Sequence, residues 1–381
     1  MAGAMMSINQ PICAGLAWAL ALLLAWTGPV AGAEISIAHV AGFTGAAAAG
    51  VIENGHGADI YFNYVNRHGG IEGATIKRVA ADDQFNAQLT LKIASDLLDR
   101  HPFVALMLSR GTPQSEALMP WALKHRIPMV APSTGAMSLR TAKSPFVFNL
   151  RSPYRSEASA AIAQLTALGF NRLAVIAPDD SFGDDATFGL DEQLAKVNAK
   201  KVYSARFKKT DPQFESIYPA LSSAQPNAVI LLGPAEAVST GLKVFQSHGL
   251  RVQYLTLSNN ASDGFIKLAG KAGHGVLVMQ SFPNERSDQI PVCKEFKNMA
   301  KSQGITAITP AMLEGYLAAK IVVAGLQRAG KHANGVKLAR ALANLAQFDL
   351  GGISVNYGSD EHHGTDSPNA SIISEGGRFL R

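Results

Sequence analysis

Three short segments carry the chemistry this sequence offers, each a polar loop placed directly after a run of apolar residues. Ser109-Arg110-Gly111-Thr112-Pro113 follows Phe103 to Leu108. Thr112 can cap a helix whose first residue is Pro113, which leaves N–H groups open to an anion. Ordinary capping accounts for the same residues, and Thr309-Pro310 and Asp211-Pro212 repeat the pairing. Ala131-Pro132-Ser133-Thr134-Gly135-Ala136 offers two hydroxyls and a glycine, a set that suits a carboxylate and equally makes a plain turn. Pro178-Asp179-Asp180-Ser181-Phe182-Gly183 sets an aromatic ring in a polar loop, where it can cover an apolar ligand or anchor the loop by packing.

Chemistry that makes or breaks bonds is not written here in any familiar form. The chain has no GxSxG nucleophile elbow, no Walker A loop, no HExxH and no GxGxxG after its first strand. Asp360-Glu361-His362-His363 has the right side chains for a metal, but neighbours in a turn point in different directions, so no metal site is expected. His68-Gly69-Gly70 reads as a helix stop, and Cys293 has no activating partner in its surroundings along the chain. No cofactor is expected, and binding is favoured over catalysis.

The elements that must hold those loops alternate strand and helix. Glu34 to Val40, Ile76 to Ala81, Phe103 to Leu108, Ile127 to Ala131 and Phe146 to Leu150 read as short strands. Leu173 to Ala177, Val229 to Leu232, Tyr254 to Leu257 and Val276 to Gln280 continue the series. Between them fall helices such as the one from Ala58 to Gly69-Gly70, marked by Tyr61, Phe62 and Val65, and Ser156 to Leu168, ended by Gly169. Such alternation implies an α/β fold of parallel sheets covered on both faces, and the number of units calls for two lobes. Ligands of open parallel sheets bind beyond the carboxyl ends of the strands, where the three loops lie.

Of 381 residues, 47% are hydrophobic and 17% charged, a globular composition that excludes disordered and collagen-like classes. The 34 basic residues are scattered and offset by 29 acidic ones, so the formal charge of +5 marks no nucleic-acid surface. Residues 1–33 contain no Lys, Arg, Asp or Glu and include the apolar run Ile12 to Trp26. That run is short for a bilayer span. Ala31-Gly32-Ala33 offers a signal-peptidase site, so a cleaved signal peptide and a soluble periplasmic protein are expected, with Cys293 as its one remaining cysteine.

In their order and spacing, several segments resemble the branched-chain amino acid (leucine/isoleucine/valine) binding proteins, type I periplasmic solute receptors of ABC importers. They are residues 65–73 (VNRHGGIEG), Asp82-Asp83, Gly111-Thr112-Pro113, Ile127-Pro128, 132–136 (PSTGA), Asp179 to Gly183 and Glu314-Gly315-Tyr316. The resemblance implies two Rossmann-like lobes, 34–152 with 284–352 and 153–283 with 353–381, joined by a three-segment hinge near Leu150 to Pro153, Gln280 to Pro283 and Gly351 to Val355. It implies a ligand between the lobes, held by Ser109, Gly111, Thr112, Ser133, Thr134 and Gly135 from the first and by Phe182, Pro234, Ala235, Ser258 and Asn259 from the second. Phe43 and Tyr154 are added as secondary candidates. The partners it implies are a small-molecule ligand and the permease subunits of the importer, with the receptor a monomer; a periplasmic sensor of the same fold is the alternative, and an enzyme a more distant one. Amino-acid-binding relatives place an acid after the strand that ends here near Leu257, whereas this chain has Ser258-Asn259-Asn260. A buried ammonium without a carboxylate is costly. Either Asp179, Asp180 or another acid replaces it, or the ligand is an aromatic or aliphatic acid or an amide.

Overall fold

The computed structural model describes residues 1–4, 33–141, 145–358 and 362–381. The expected leader falls mostly outside the described residues, as do Asp360 and Glu361. In the first lobe, β1 (Glu34–Ala41), α1 (Ala48–Arg67), β2 (Thr75–Asp82), α2 (Ala87–Arg100), β3 (Ala105–Met107), α3 (Thr112–His125), β4 (Met129–Val130) and β5 (Val147–Phe148) build a parallel sheet of order β2-β1-β3-β4-β5. In the second, α4 (Tyr154–Ala167), β6 (Arg172–Pro178), α5 (Ser181–Leu194), β7 (Lys200–Phe207), α6 (Phe214–Ser223), β8 (Ala228–Leu231), α7 (Ala235–Ser247), β9 (Gln253–Thr256), α8 (Asp263–Ala269) and β10 (Leu277–Gln280) repeat the pattern. The chain then returns to the first lobe through α9 (Pro291–Ser302), α10 (Pro310–Ala329) and α11 (Gly335–Ala343), followed by β11 (Ala346–Asp349), β12 (Ser354–Tyr357) and β13 (His362–His363). It ends in the second with β14 (Asn369–Ile373) and β15 (Phe379–Leu380), antiparallel additions that complete the order β15-β14-β10-β9-β8-β6-β7.

Strands such as β6 and β8 are buried along nearly their whole length because helices cover both faces of the sheet, which is why they read as continuous apolar runs. Edge strand β7 does not: it is half exposed and carries Lys200, Lys201 and Arg206, so no apolar run announced it. Helix α1 begins ten residues before the expected Ala58, because Gly50, Gly55 and Gly57 look like breakers in the sequence. They are places of close approach instead. A Cβ on Gly57 would lie 1.8 Å from the carbonyl oxygen of Met312, and one on Gly315 would lie 1.8 Å from that of Asn54. These two glycines let α1 and α10 pack backbone to backbone, which sets Glu314 at the base of the cleft.

Three chain passages connect the lobes. The first runs from β5 to α4, the second leaves β10, and the third comes at residues 364–368, later than the expected Gly351 to Val355. Ile353, Val355 and Tyr357, expected in the second lobe, lie in the core of the first: Tyr357 packs edge-on against Phe148, and its hydroxyl donates to the Asn149 carbonyl (2.8 Å). The apolar alternation of β12 needed a face to bury, and the adjacent edge of the first lobe supplied it. The passages are tied to one another: Thr365 N–H donates to the Leu150 carbonyl (2.8 Å), and the Thr365 hydroxyl to the Ser281 carbonyl (3.2 Å).

Candidate functional site

The carboxyl ends of the two parallel sheets face each other and enclose a cavity. Loops after β2, β3 and β4 supply Phe85, Arg110, Gly111, Thr112 and Ser133 from one side. Asp180, Phe182, Lys209, Pro234 and Asn259, from the loops after β6, β7, β8 and β9, close the other, with Tyr154 at the start of α4. Among the sequence candidates, Gly111, Thr112, Ser133, Tyr154, Phe182, Pro234 and Asn259 line this cavity. Ser109, Thr134, Gly135, Ala235, Ser258 and Phe43 do not.

Each displaced candidate has a definite occupation. The Ser109 hydroxyl bonds that of Ser115 (2.9 Å), and the Thr134 hydroxyl bonds that of Thr112 (2.8 Å). Thr112 therefore does not cap α3; Gly111 stands at the N-cap, with φ +93°, and Thr112 is the first helical residue. At Asp211-Pro212 no helix begins, since α6 starts at Phe214. A side chain on Gly135 would meet the Ser152 carbonyl oxygen and the Tyr154 nitrogen, both at 2.7 Å. Ala235 opens α7 behind Pro234, and Phe43 packs edge-on to His39. Asn259 donates to the Gly233 carbonyl (2.7 Å), which fixes its side chain at the wall.

Two buried arginines organise the base of the cleft. Arg110 donates through Nη1 to Ser133 Oγ (2.8 Å) and through Nη2 to the backbone carbonyl of Asn259 in the other lobe. Neither partner carries a charge. Arg110 is 7% exposed, and burial followed by the like charge of Arg151 pulls its pKa below the usual arginine range. Gly50 makes room for it, since a Cβ there would lie 3.3 Å from Nη2. Arg151, on the first passage, is paired with Glu314 (2.7 Å) and also donates to Ser258 Oγ. Burial alone would lower the pKa of Arg151 and raise that of Glu314. Their mutual attraction, with Glu157 adding to the first and Arg110 to the second, reverses both directions.

Ser258 thus belongs to a buried network instead of the wall. Its N–H and hydroxyl donate to Glu157 (2.9 and 2.6 Å), which also accepts from Ser281 Oγ (2.9 Å). Asp180, the one carboxylate on the cavity wall, caps α5 by accepting from Gly183 N–H (3.0 Å) and lies 2.5 Å from Lys209 Nζ. Asp179 is exposed and outside the lining. Arg110, Lys209 and Phe85 were absent from the sequence candidates. Arg110 had a signal, a basic residue among hydroxyls and glycine after a buried strand; Phe85 had one too, an aromatic in the polar stretch Asp-Asp-Gln-Phe-Asn. Lys209 follows the unread strand β7 and had none.

The lobes are closed on each other around this cavity. Glu53 of α1 accepts from the N–H groups of Gly264 (2.8 Å) and Asp263 (3.3 Å) at the start of α8. On the opposite rim, Ser181 Oγ donates to Glu116 (2.6 Å) and Met137 N–H to Asp185 (3.2 Å). Elsewhere chemistry is muted: burial and the Glu285 charge push the Cys293 thiol up to about 11, and His362 stacks on Phe148 with Nδ1 2.8 Å from the Val147 carbonyl oxygen. No group of three or more His, Cys, Asp or Glu suited to a metal occurs among the described residues, and no described helix is long and apolar enough to cross a membrane.

Comparison with known proteins gives a consistent picture. The family model described as periplasmic binding protein matches residues 34–370. A Leu/Ile/Val-binding protein homologue of Brucella melitensis is 24% identical over 318 residues, which span 81% of this chain and 83% of that one. A possible leucine/isoleucine/valine-binding protein from Rhodopirellula baltica superposes with a TM-score of 0.85 at 25% identity, covering 93% of this chain and 98% of its own. A substrate-binding periplasmic protein from Ralstonia solanacearum gives 0.83 at 27% identity, covering 91% and 99%.

Proposed function

The chain belongs to the periplasmic binding protein family, whose matching members are solute-binding proteins and not enzymes, and from that premise we propose that it is an extracytoplasmic receptor. It captures a small carboxylate-bearing solute between its lobes and delivers it, as a monomer, to the permease of an ABC importer. The observation that carries this reading is Arg110. A guanidinium is costly to bury with only a hydroxyl and a carbonyl as partners, and an incoming carboxylate supplies the charge that they lack. The unused N–H groups of Arg110 are the donors available for it.

Closure follows from the same geometry. Arg110 reaches across to the Asn259 carbonyl, so a ligand seated on it engages both lobes and favours the closed state over the open one. The test is a titration of the purified protein with small carboxylates and their neutral analogues, followed by melting temperature and calorimetry. A true ligand at about 100 times its dissociation constant stabilises the fold by about 2.7 kcal/mol. Deleting the protein from its cell should then depress uptake of that same solute. A panel in which neutral compounds bind and carboxylates do not overturns the reading.

A further inference from the structure

Resting on the reading that the cleft takes a carboxylate, we infer that its ligand is a hydrophobic monocarboxylate without an ammonium group. The wall of the cavity carries three charged residues, Arg110, Lys209 and Asp180. Asp180 is already committed twice, to Lys209 at 2.5 Å and to the Gly183 N–H at 3.0 Å. One positive charge is left over, and a single carboxylate balances it.

An α-ammonium would find no comparable partner. Glu157 is filled by Ser258 and Ser281 and Glu53 by the N–H groups of Asp263 and Gly264, while Glu314, paired with Arg151 through one oxygen, does not line the cavity. At the wall a zwitterion would place its cation in an enclosure already holding Arg110 and Lys209, and would leave the site with its excess positive charge unbalanced. To accept the ammonium, Asp180 would have to release Lys209, which itself lies 4.9 Å above the Phe85 ring. Buried cations without a counter-charge are disfavoured strongly.

The remaining surface describes the rest of the ligand. Ala47, Phe85, Pro113, Tyr154, Phe182 and Pro234 present methyl groups and rings, and Tyr154 meets Phe182 edge to face at 4.8 Å. Rings and methyl groups of this kind suit an aromatic ring or a branched aliphatic chain.

Isothermal titration of the wild-type protein with two matched pairs tests the inference: 3-phenylpropionate against L-phenylalanine, and 4-methylpentanoate against L-leucine. In each pair the two compounds differ by the amino group. 3-Phenylpropanamide serves as a neutral control. The acid lacking the amino group should bind in at least one pair, with its amino acid weaker by about 100-fold or more, the scale set by a buried unpaired charge. An amino acid that binds as tightly as its partner, or alone, overturns the inference while leaving the carboxylate reading intact. An amide that matches the acid overturns the carboxylate reading as well. Silence from all five compounds overturns the inferred ligand class and leaves the receptor reading to the wider panel of carboxylates.

Discussion

Replacing Gly264 by alanine should hold the lobes apart without touching the cavity. Gly264 is the second residue of α8, and a Cβ there would lie 2.2 Å from Ala49 Cβ and 3.2 Å from Ala49 Cα in the other lobe. Carbon atoms pack at about 3.5–4.0 Å, so the surfaces must part by roughly 1.5 Å at this point. That displacement takes the Gly264 and Asp263 N–H groups, now 2.8 and 3.3 Å from Glu53, beyond hydrogen-bonding range. Bonds to a charged acceptor are worth about 1.5–3 kcal/mol each; with water replacing them in the open form, a loss of about 2–3 kcal/mol from closure is reasonable. Ligand affinity follows the closed population, so the dissociation constant should rise about 30- to 160-fold. Calorimetry reads that change. Small-angle scattering should show the wild-type chain contracting on ligand and the Gly264→Ala chain contracting only at correspondingly higher concentration. The melting temperature of the empty protein should move little, since neither core is altered. Wild-type affinity and the same contraction in the variant would refute the assignment of this contact to the liganded state.

Two further predictions concern buried charge. Burial raises Asp83 to about 6 from 3.8, so the native state holds this proton more tightly than the unfolded chain does. The resulting penalty is present in full above pH 6 and is relieved as pH falls toward 4, a contribution of at most about 3 kcal/mol. Urea unfolding of wild type against Asp83→Asn, which keeps partners for Phe85 N–H and Thr90 Oγ1, should show the wild type gaining relative stability from pH 7 to pH 4.5; a relative loss contradicts the sign. Arg151→Met leaves Glu314 buried without its cation and should cost about 3–5 kcal/mol in urea unfolding. Arg151→Met with Glu314→Leu should recover most of that loss, and no recovery would mean that the pair is not the source of the cost.

Much of this architecture was legible because burial on both faces writes itself into the sequence. β6 and β8 appear as uninterrupted apolar runs, and the loops after β3, β4 and β6, singled out in the sequence, all contribute to the cavity lining. What escaped has physical reasons. The early turns of α1 were hidden by glycines that serve close packing against Arg110, Arg78 and α10. Strand β7 lies at an edge and needs no apolar face, and the third passage was misplaced because β12 carries an apolar alternation that either lobe could have buried. Within the site, hydroxyl residues were visible but their pairings were not: Thr112 with Thr134 and Ser109 with Ser115 satisfy each other across the fold, a matter of distance and not of type. The Ser258 position was correctly marked as lacking an acid. That Glu157 and Arg151 already occupy its hydroxyl could not be read from residues so far apart in the chain.

The measurement that reaches the central claim most directly is titration of Arg110→Met with whichever carboxylate the wild type binds, in a variant whose melting temperature shows it folded. Methionine keeps most of the side-chain length and removes the charge. Losing two charge-assisted hydrogen bonds of about 1.5–3 kcal/mol each should weaken binding by at least about 100-fold. An affinity within threefold of wild type would mean that the cleft does not hold its ligand through this arginine, and the account of the site would fail.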